Sequence, residues 1–242
     1  MVAHMIDSKL PPIEARNLVF RYGTGHGNVI EIAEFTVKQG EMVLLKGPSG
    51  SGKTTFLGLI AGILVPTGGE LSVLGHSMTK LNARQRDALR AEHIGYIFQM
   101  LNLIPYLTVR ENMELACHLR KGRMKRVGSS NLEKKVMELA AALGVDSLLE
   151  RPVTRLSVGQ QQRVAAVRAL LGEPELVIAD EPTSALDADT REAFLDLLFA
   201  QCKKLGSSLI FVSHDSSLET RFSRSVSLSS LHRAPTIEEV ES

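Results

Sequence analysis

Along this chain, short continuous apolar runs alternate with longer stretches of helical period. Ile13 to Tyr22 reads as a first strand, with Leu18, Phe20 and Tyr22 on one face. Val29 to Val37 reads as a second, alternating as Val29, Glu31, Ala33, Phe35, Val37, with a break near Glu34. Met42-Val43-Leu44-Leu45 is a continuous apolar run of buried-strand type, followed by glycines and an apolar helix that Pro66 stops. Gly68-Gly69 opens a short strand from Glu70 to Leu74. Leu81 to Ala91 is polar and helical, and Ile94 to Phe98 is again a buried-type strand.

After Gln99 the alternation lapses. Met100 to Leu107 is an apolar loop, and Thr108 to Leu119 a helix whose Thr108 and Glu111 form a capping box. Ser130 and Glu133 repeat that spacing before a helix with Leu132, Val136, Leu139, Ala140 and Leu143 on one face. Two helices with no strand between them predict an α-helical subdomain, 100–157, inserted into an α/β core made of 13–99 and 158–234, all within one domain. Strands return at Leu176 to Ala179 and Leu209 to Val212, with helices from Val158 to Leu171 and Thr190 to Leu205. The second carries Ala193, Phe194, Leu197 and Leu198 as its stripe. This pattern indicates a mostly parallel sheet covered on both faces. The acidic tail, 235–242, is expected to be loose.

The chemistry starts at Gly47-Pro48-Ser49-Gly50-Ser51-Gly52-Lys53-Thr54, which fits G-x-x-x-x-G-K-[ST] between a strand and a helix. Glycines let the backbone curl into a nest of inward N–H groups, and the helix N-terminus adds positive potential. Lys53 would reach the β- and γ-phosphates, and the Thr54 hydroxyl would ligate Mg²⁺. Strand Leu176–Ala179 runs into Asp180-Glu181, placing one carboxylate to hold Mg²⁺ through its water shell and a second to orient and deprotonate water. Leu156-Ser157-Val158-Gly159-Gln160 opens a long helix; by itself it is an ordinary Ser-capped start.

Composition narrows the partners. Among 242 residues, 28 basic and 27 acidic side chains leave a net charge of +1, which gives no sign of a nucleic-acid footprint. Cys117 and Cys202 show no metal-ligand spacing and read as small core residues in a reducing compartment. Met1 to Pro12 lacks the pattern of a signal peptide, and the uncharged apolar stretch from Thr54 to Val65 is too short to span a bilayer. A membrane role therefore calls for a partner. The one basic run, Arg120 to Arg126, reads as a solvated link between helices, with contact to anionic lipid headgroups as the alternative.

Taken in order, these motifs resemble the ATP-binding subunit of an ABC transporter, from Ile13 to Ser229. The resemblance implies a P-loop NTPase of the ABC ATPase fold: a mostly parallel α/β sheet, an N-terminal antiparallel β portion and the inserted helical subdomain. It implies that Tyr22 stacks on adenine, that Gly47 to Thr54 extended by Thr55 cradles the phosphates, and that Gln99 ligates Mg²⁺ and senses the γ-phosphate. Leu156 to Gln160 is the signature, with Ser157, Gly159 and Gln160 on the nucleotide. Asp180 is the metal-associated aspartate and Glu181 the catalytic base. Ser184-Ala185-Leu186-Asp187 crosses to the partner, and His214, between Ser213 and Asp215, is the switch histidine. Two positions depart from the pattern. Val158 replaces a signature glycine and rules out a strongly positive φ there, and Ser225 to Ala234 lacks the acidic-Gly turn that normally completes the last strand pair.

The resemblance further implies that two copies pair head to tail around two ATP, each joining one phosphate loop to the other's signature helix. They would drive an integral membrane permease from the cytoplasmic face of the membrane. Leu81 through Arg90 and Ile94 to Gln99, with Asn102-Leu103-Ile104-Pro105, Leu107-Thr108-Val109 and Glu111-Asn112, resemble the lipoprotein-release and macrolide-efflux branch. The segment after Gln99, with Met100, Leu101 and Ile104, is where that family's permease docks; packing of these residues into the helical subdomain is the competing reading. An alternative role is a cell-division-type regulatory ATPase that controls a cell-wall hydrolase.

Overall fold

A computed structural model describes residues 10–23 and 27–231. The tail expected to be loose, 235–242, lies outside the described residues.

In order, the elements are β1 (Ile13–Phe20), β2 (Ile30–Val37), β3 (Met42–Lys46), α1 (Lys53–Ile60), β4 (Gly68–Val73), β5 (His76–Ser77), α2 (Ala83–His93) and β6 (Ile94–Ile97). There follow α3 (Val109–Leu119), α4 (Lys121–Val127), α5 (Leu132–Ala142), α6 (Val158–Leu170), β7 (Leu176–Asp180), α7 (Ala188–Leu205), β8 (Ser208–Val212), β9 (Arg224–Ser227) and α8 (Leu228–Leu231). The strands form an antiparallel sheet, β2-β1-β4-β5, and a parallel one, β6-β7-β8-β3-β9.

The parallel strands are apolar throughout because both their faces are covered. Val43, Leu45, Ile178, Ile210 and Val212 face α1 and the antiparallel sheet. Leu44, Val177, Ala179, Leu209 and Phe211 face the other way, onto the core shared with α3, α5, α6 and α7. Helix α1 thus lies between the two sheets, with Phe56 in edge contact with Phe35 of β2. The helices α3 to α5 occupy the stretch expected for the insertion.

Several expectations change. In β1 the buried positions run Ile13, Ala15, then Leu18, Phe20, because Asn17 takes a left-handed φ of 46° and shifts the phase. The pairing with β4 slips at the same point. Gly69 makes room there: a Cβ on it would come within 1.9 Å of the Asn17 carbonyl oxygen. Strand β2 stays in register with β1 and changes phase beside it, so Ile30 and Ile32 are buried where Val29 and Ala33 were expected to face inward. Helix α1 ends at Ile60, well before Pro66, since Gly62 turns the chain at φ 68°.

The box expected at Ser130 and Glu133 is absent, for a 3₁₀ turn over Ser129–Asn131 carries the chain into α5 with no side-chain cap. Helix α7 starts two residues before Thr190, capped by Asp187, and buries Leu195 in place of Ala193. The basic run is a helix, with Arg123 only 2% exposed, so it is not a solvated loop. The last strand pair is not formed among the described residues: β9 lies parallel to β3 and passes directly into α8.

Candidate functional site

Strand β3 delivers the chain to a glycine loop whose left-handed Gly50 (φ 79°) and Gly52 (φ 91°) fold it back on itself. Gly52 is the N-cap of α1 and supplies no side-chain acceptor, and no acidic residue sits in the first turn. The helix therefore offers free N–H groups and the positive end of its dipole. Lys53 arches over the loop, its Nζ donating to the carbonyls of Gly47 at 2.7 Å and Pro48 at 3.0 Å. Ser51 Oγ is buried with no hydrogen-bond partner.

The carboxyl ends of the neighbouring parallel strands converge on this loop, as expected for a ligand site on a sheet of this kind. Asp180 ends β7 at 7% exposure. Burial pushes its carboxyl above the usual range, the adjacent Glu181 charge adds to this, and the Thr54 hydroxyl and Lys53 oppose it. Glu181 takes a left-handed φ of 46° and donates its N–H to Val212 O at 3.1 Å, locking the end of β7 to the end of β8. Its Oε2 lies 3.0 Å from His214 Nδ1.

Ser49, Gly50, Gly52, Lys53, Thr54, Thr55, Gln99, Asp180, Glu181 and His214 line one cleft of about 440 Å³. Gly47, Pro48 and Ser51 form the body of the loop behind that lining. Val29 and Ser184 also face the cleft. Val29 was read as a strand residue, and no local pattern distinguishes it from one. Tyr22 lies half-exposed beside the cleft, edge-on to Phe20 and with its hydroxyl 3.1 Å from Thr55 Oγ1.

Ser157, Gly159, Gln160 and Asp187 do not reach this cleft. Ser157 caps α6 by accepting from Gln160 N, while the Gln160 side chain accepts from Ser157 N. Val158 occupies the first helical position, half-exposed and with no positive φ. Gly159 has a packing role in its own chain, since a Cβ there would press on Thr190 Cγ2 at 3.2 Å. Asp187 caps α7 through Thr190. The exposed start of α6 therefore presents a Ser hydroxyl and helix N–H groups away from its own phosphate loop.

A second concavity escaped sequence reasoning. A groove of about 410 Å³ runs between α2, β6, α3 and α6, floored by the stacked rings of Tyr96 and Phe98 and rimmed by Leu119. Arg90, Arg120, Arg123 and Arg168 line it, and no carboxylate does. Met100 nearby is 82% exposed, whereas Leu101 packs on the core and Ile104 is half-buried.

The ABC transporter family profile matches residues 30–184 of the chain, more than half of it. The lipoprotein-releasing system ATP-binding protein LolD 1 of Caulobacter vibrioides is 36% identical over 219 residues, covering 90% of this chain and 92% of that protein. The uncharacterized ABC transporter ATP-binding protein YbbA of Escherichia coli K12 is 38% identical over 220 residues, covering 89% and 93%. Among solved structures, the dimeric bacterial ABC transporter cassette MJ0796 superposes with a TM-score of 0.78 at 33% identity, covering 89% of this chain and 93% of that one. The same cassette in a dimeric post-hydrolysis state bound to ADP and Pi gives 0.77 at 32% identity, with the same coverage.

Proposed function

The chain belongs to the ABC transporter family as an ATP-hydrolysing subunit, and from that premise we propose that two copies close head to tail around two ATP to drive a membrane permease of the lipoprotein-release or efflux type. One observation carries this reading. The phosphate loop and the acidic pair share a cleft, while the signature start of α6 is exposed outside it and can meet a phosphate only across an interface.

In this reading, Lys53 Nζ leaves the loop carbonyls for the β- and γ-phosphate oxygens, and the free N–H groups of the loop and α1 bind the rest of the triphosphate. Tyr22 stacks on adenine. A divalent cation fits the donor set: Thr54, Gln99 and Asp180 line the same cleft, and all three bring the oxygens Mg²⁺ prefers. With few protein oxygens on offer, water and substrate phosphate would complete the ion's shell. When bound there, Mg²⁺ would supply neutralisation of the triphosphate's charge. Glu181 accepts the proton of the attacking water, and His214 fixes that carboxylate and reaches toward the γ-phosphate. Ser157, Gly159 and Gln160 of one copy, with Asp187 beside them, close the other copy's site. Loss of the γ-phosphate removes the bridge, and the pair opens.

The permease docks in the groove floored by Tyr96 and Phe98 and lined by Leu119 and Arg120, through a short helix with an apolar face and an acidic residue for Arg120. No helix among the described residues is long and apolar enough to cross a membrane. In the proposed complex the chain works from the cytoplasmic face, bound to that permease.

Glu181→Gln tests the pairing. It should lower turnover by about 10²–10⁴-fold and shift the chain to a dimer in gel filtration with ATP and Mg²⁺. Full turnover in this variant removes Glu181 from its role. Copurification from detergent-solubilised membranes should bring down an integral membrane protein with a large external domain. Recovery of a cell-wall hydrolase activator instead would assign the regulatory role.

A further inference from the structure

Immediately after Gln99 the backbone does something that side-chain-bearing residues seldom do. Leu101 (φ 31°) and Asn102 (φ 49°) are consecutive non-glycine residues in the left-handed region, the one adjacent pair of this kind among the described residues. Something outside the loop must hold them there.

The guanidinium of Arg168 does so from α6. Its two terminal nitrogens donate to Leu101 O at 2.5 Å and Asn102 O at 2.6 Å. This fork geometry fits two adjacent carbonyls and is beyond a lysine's point charge. Arg168 makes no ion pair with any described carboxylate, and burial pulls its pKa down, so carbonyl dipoles are what compensate its charge. Further along, the loop is tied to α3 by Asn112, fully buried, which accepts from Ile104 N at 2.7 Å and donates to the carbonyls of Ile104, Leu107 and Thr108. The chain from Gln99 to Thr108 is thus slung between two anchors, one on α3 and one on α6.

Arg168 lies near the C-terminal end of the helix that Ser157 caps, 11 positions on from it, about 16 Å along the axis. We propose that Arg168 is a positioning residue, a two-pronged clamp that sets the backbone behind Gln99 and rigidly ties it to the signature end of α6. A displacement of Gln99 at the γ-phosphate then moves Leu101 and Asn102, their carbonyls pull the guanidinium, and α6 carries the displacement to Ser157. This rests on the reading of Gln99 as a nucleotide-facing residue.

Steady-state ATPase kinetics of the full chain test it. Arg168→Gln should lower kcat about 10- to 100-fold while KM for ATP stays within about twofold, because the phosphate loop is untouched. Adding Asn102→Gly should recover several-fold of the lost kcat, since glycine holds that φ without a clamp. A purely structural arginine would give no such rescue, and its loss would follow the melting temperature. Wild-type kcat in Arg168→Gln, or a kcat loss that Asn102→Gly leaves untouched in a variant melting like the wild type, overturns the proposal. Should Arg168→Gln fold poorly, Arg168→Lys takes its place: it keeps the charge and reaches a single carbonyl. An intermediate kcat at constant KM supports the clamp, and full kcat refutes it. Gln99→Ala separates the two readings: unchanged turnover there rejects Gln99's role, whereas lost turnover there with a silent Arg168→Gln rejects the clamp alone.

Discussion

At the scale of single residues, the cleft is built against its own stability. Asp180 is held nearly dry beside a second carboxylate, and one hydroxyl and a neighbouring ammonium only partly offset that. Its folded pKa therefore lies above its unfolded value. The charged form costs free energy at neutral pH, and that cost shrinks as pH falls through the folded pKa and is gone below the unfolded one. Asp180→Asn removes the ionisation while keeping an acceptor for Thr54. It should raise the melting point of the nucleotide-free chain at pH 7 by an amount on the order of 1 kcal/mol, about 2–4 °C in a chain of this size. The gain should shrink in acid. Turnover should fall by about 100-fold or more, because a neutral amide cannot replace a carboxylate in a cation's shell. Scanning calorimetry at pH 7 and pH 4.5, together with ATPase rates, checks both halves. An unchanged or lowered melting point at pH 7 would show that Asp180 bears no such cost. Glu181 stores strain of another kind, a left-handed carboxylate-bearing residue pinned by a backbone bond to β8 and by His214.

At the scale of elements, what was legible in the chain followed from how local each cause is. The strand–glycine loop–helix turn before α1, the Thr108–Glu111 box and the apolar face of α5 depend on neighbours within a turn or two, and each has the expected local structure. The inward face of β2 depends on a partner, because its change of phase mirrors the left-handed Asn17 on β1. The run Arg120 to Arg126 misleads most. Seven residues with five cations look solvated, yet Arg123 points inward. It donates to the carbonyls of Ala91, Ile94, Ala169 and Leu171 at 2.6 to 3.3 Å, while Arg126 bonds those of Gly172 and Glu92. Burial, with Arg126 adding to it, lowers the Arg123 pKa to about 10. No local pattern announces a cation that caps the end of a helix far along the chain. Helix α4 is therefore a bracket joining the end of α6 to the start of β6. Arg123→Met should strip the partners from those carbonyls and cost roughly 3 kcal/mol or more, a fall in melting temperature on the order of 10 °C. Lys125→Met, on the exposed side of the same helix, should stay within about 0.5 kcal/mol of the wild type. Equal melting points for the two variants would show that charge, and not the inward bonds, matters in this helix.

At the scale of the whole molecule, the proposed pairing treats the cleft and the start of α6, which does not line it, as two halves of one site. A closed isologous pair joins them, since the same rotation brings each half to its complement. The arrangement makes a prediction about mixtures that no single-chain enzyme shares. Lys53→Ala disables a chain's phosphate loop and leaves its α6 intact, whereas Ser157→Arg blocks the start of α6 and leaves the loop intact. Each variant alone forms pairs in which both composite sites carry a defect, so each should be nearly inactive. In a mixed pair, one site gathers both defects and the other gathers both intact halves. An equimolar mixture should therefore regain turnover, up to roughly a quarter of the wild-type rate when random pairing makes half the dimers mixed and one of their two sites works. The recovered activity should fall steeply on dilution, because the working site exists only in the associated form. If each chain carried a complete site of its own, mixing would add two inactive populations and restore nothing, and the activity of the wild type would scale linearly with concentration.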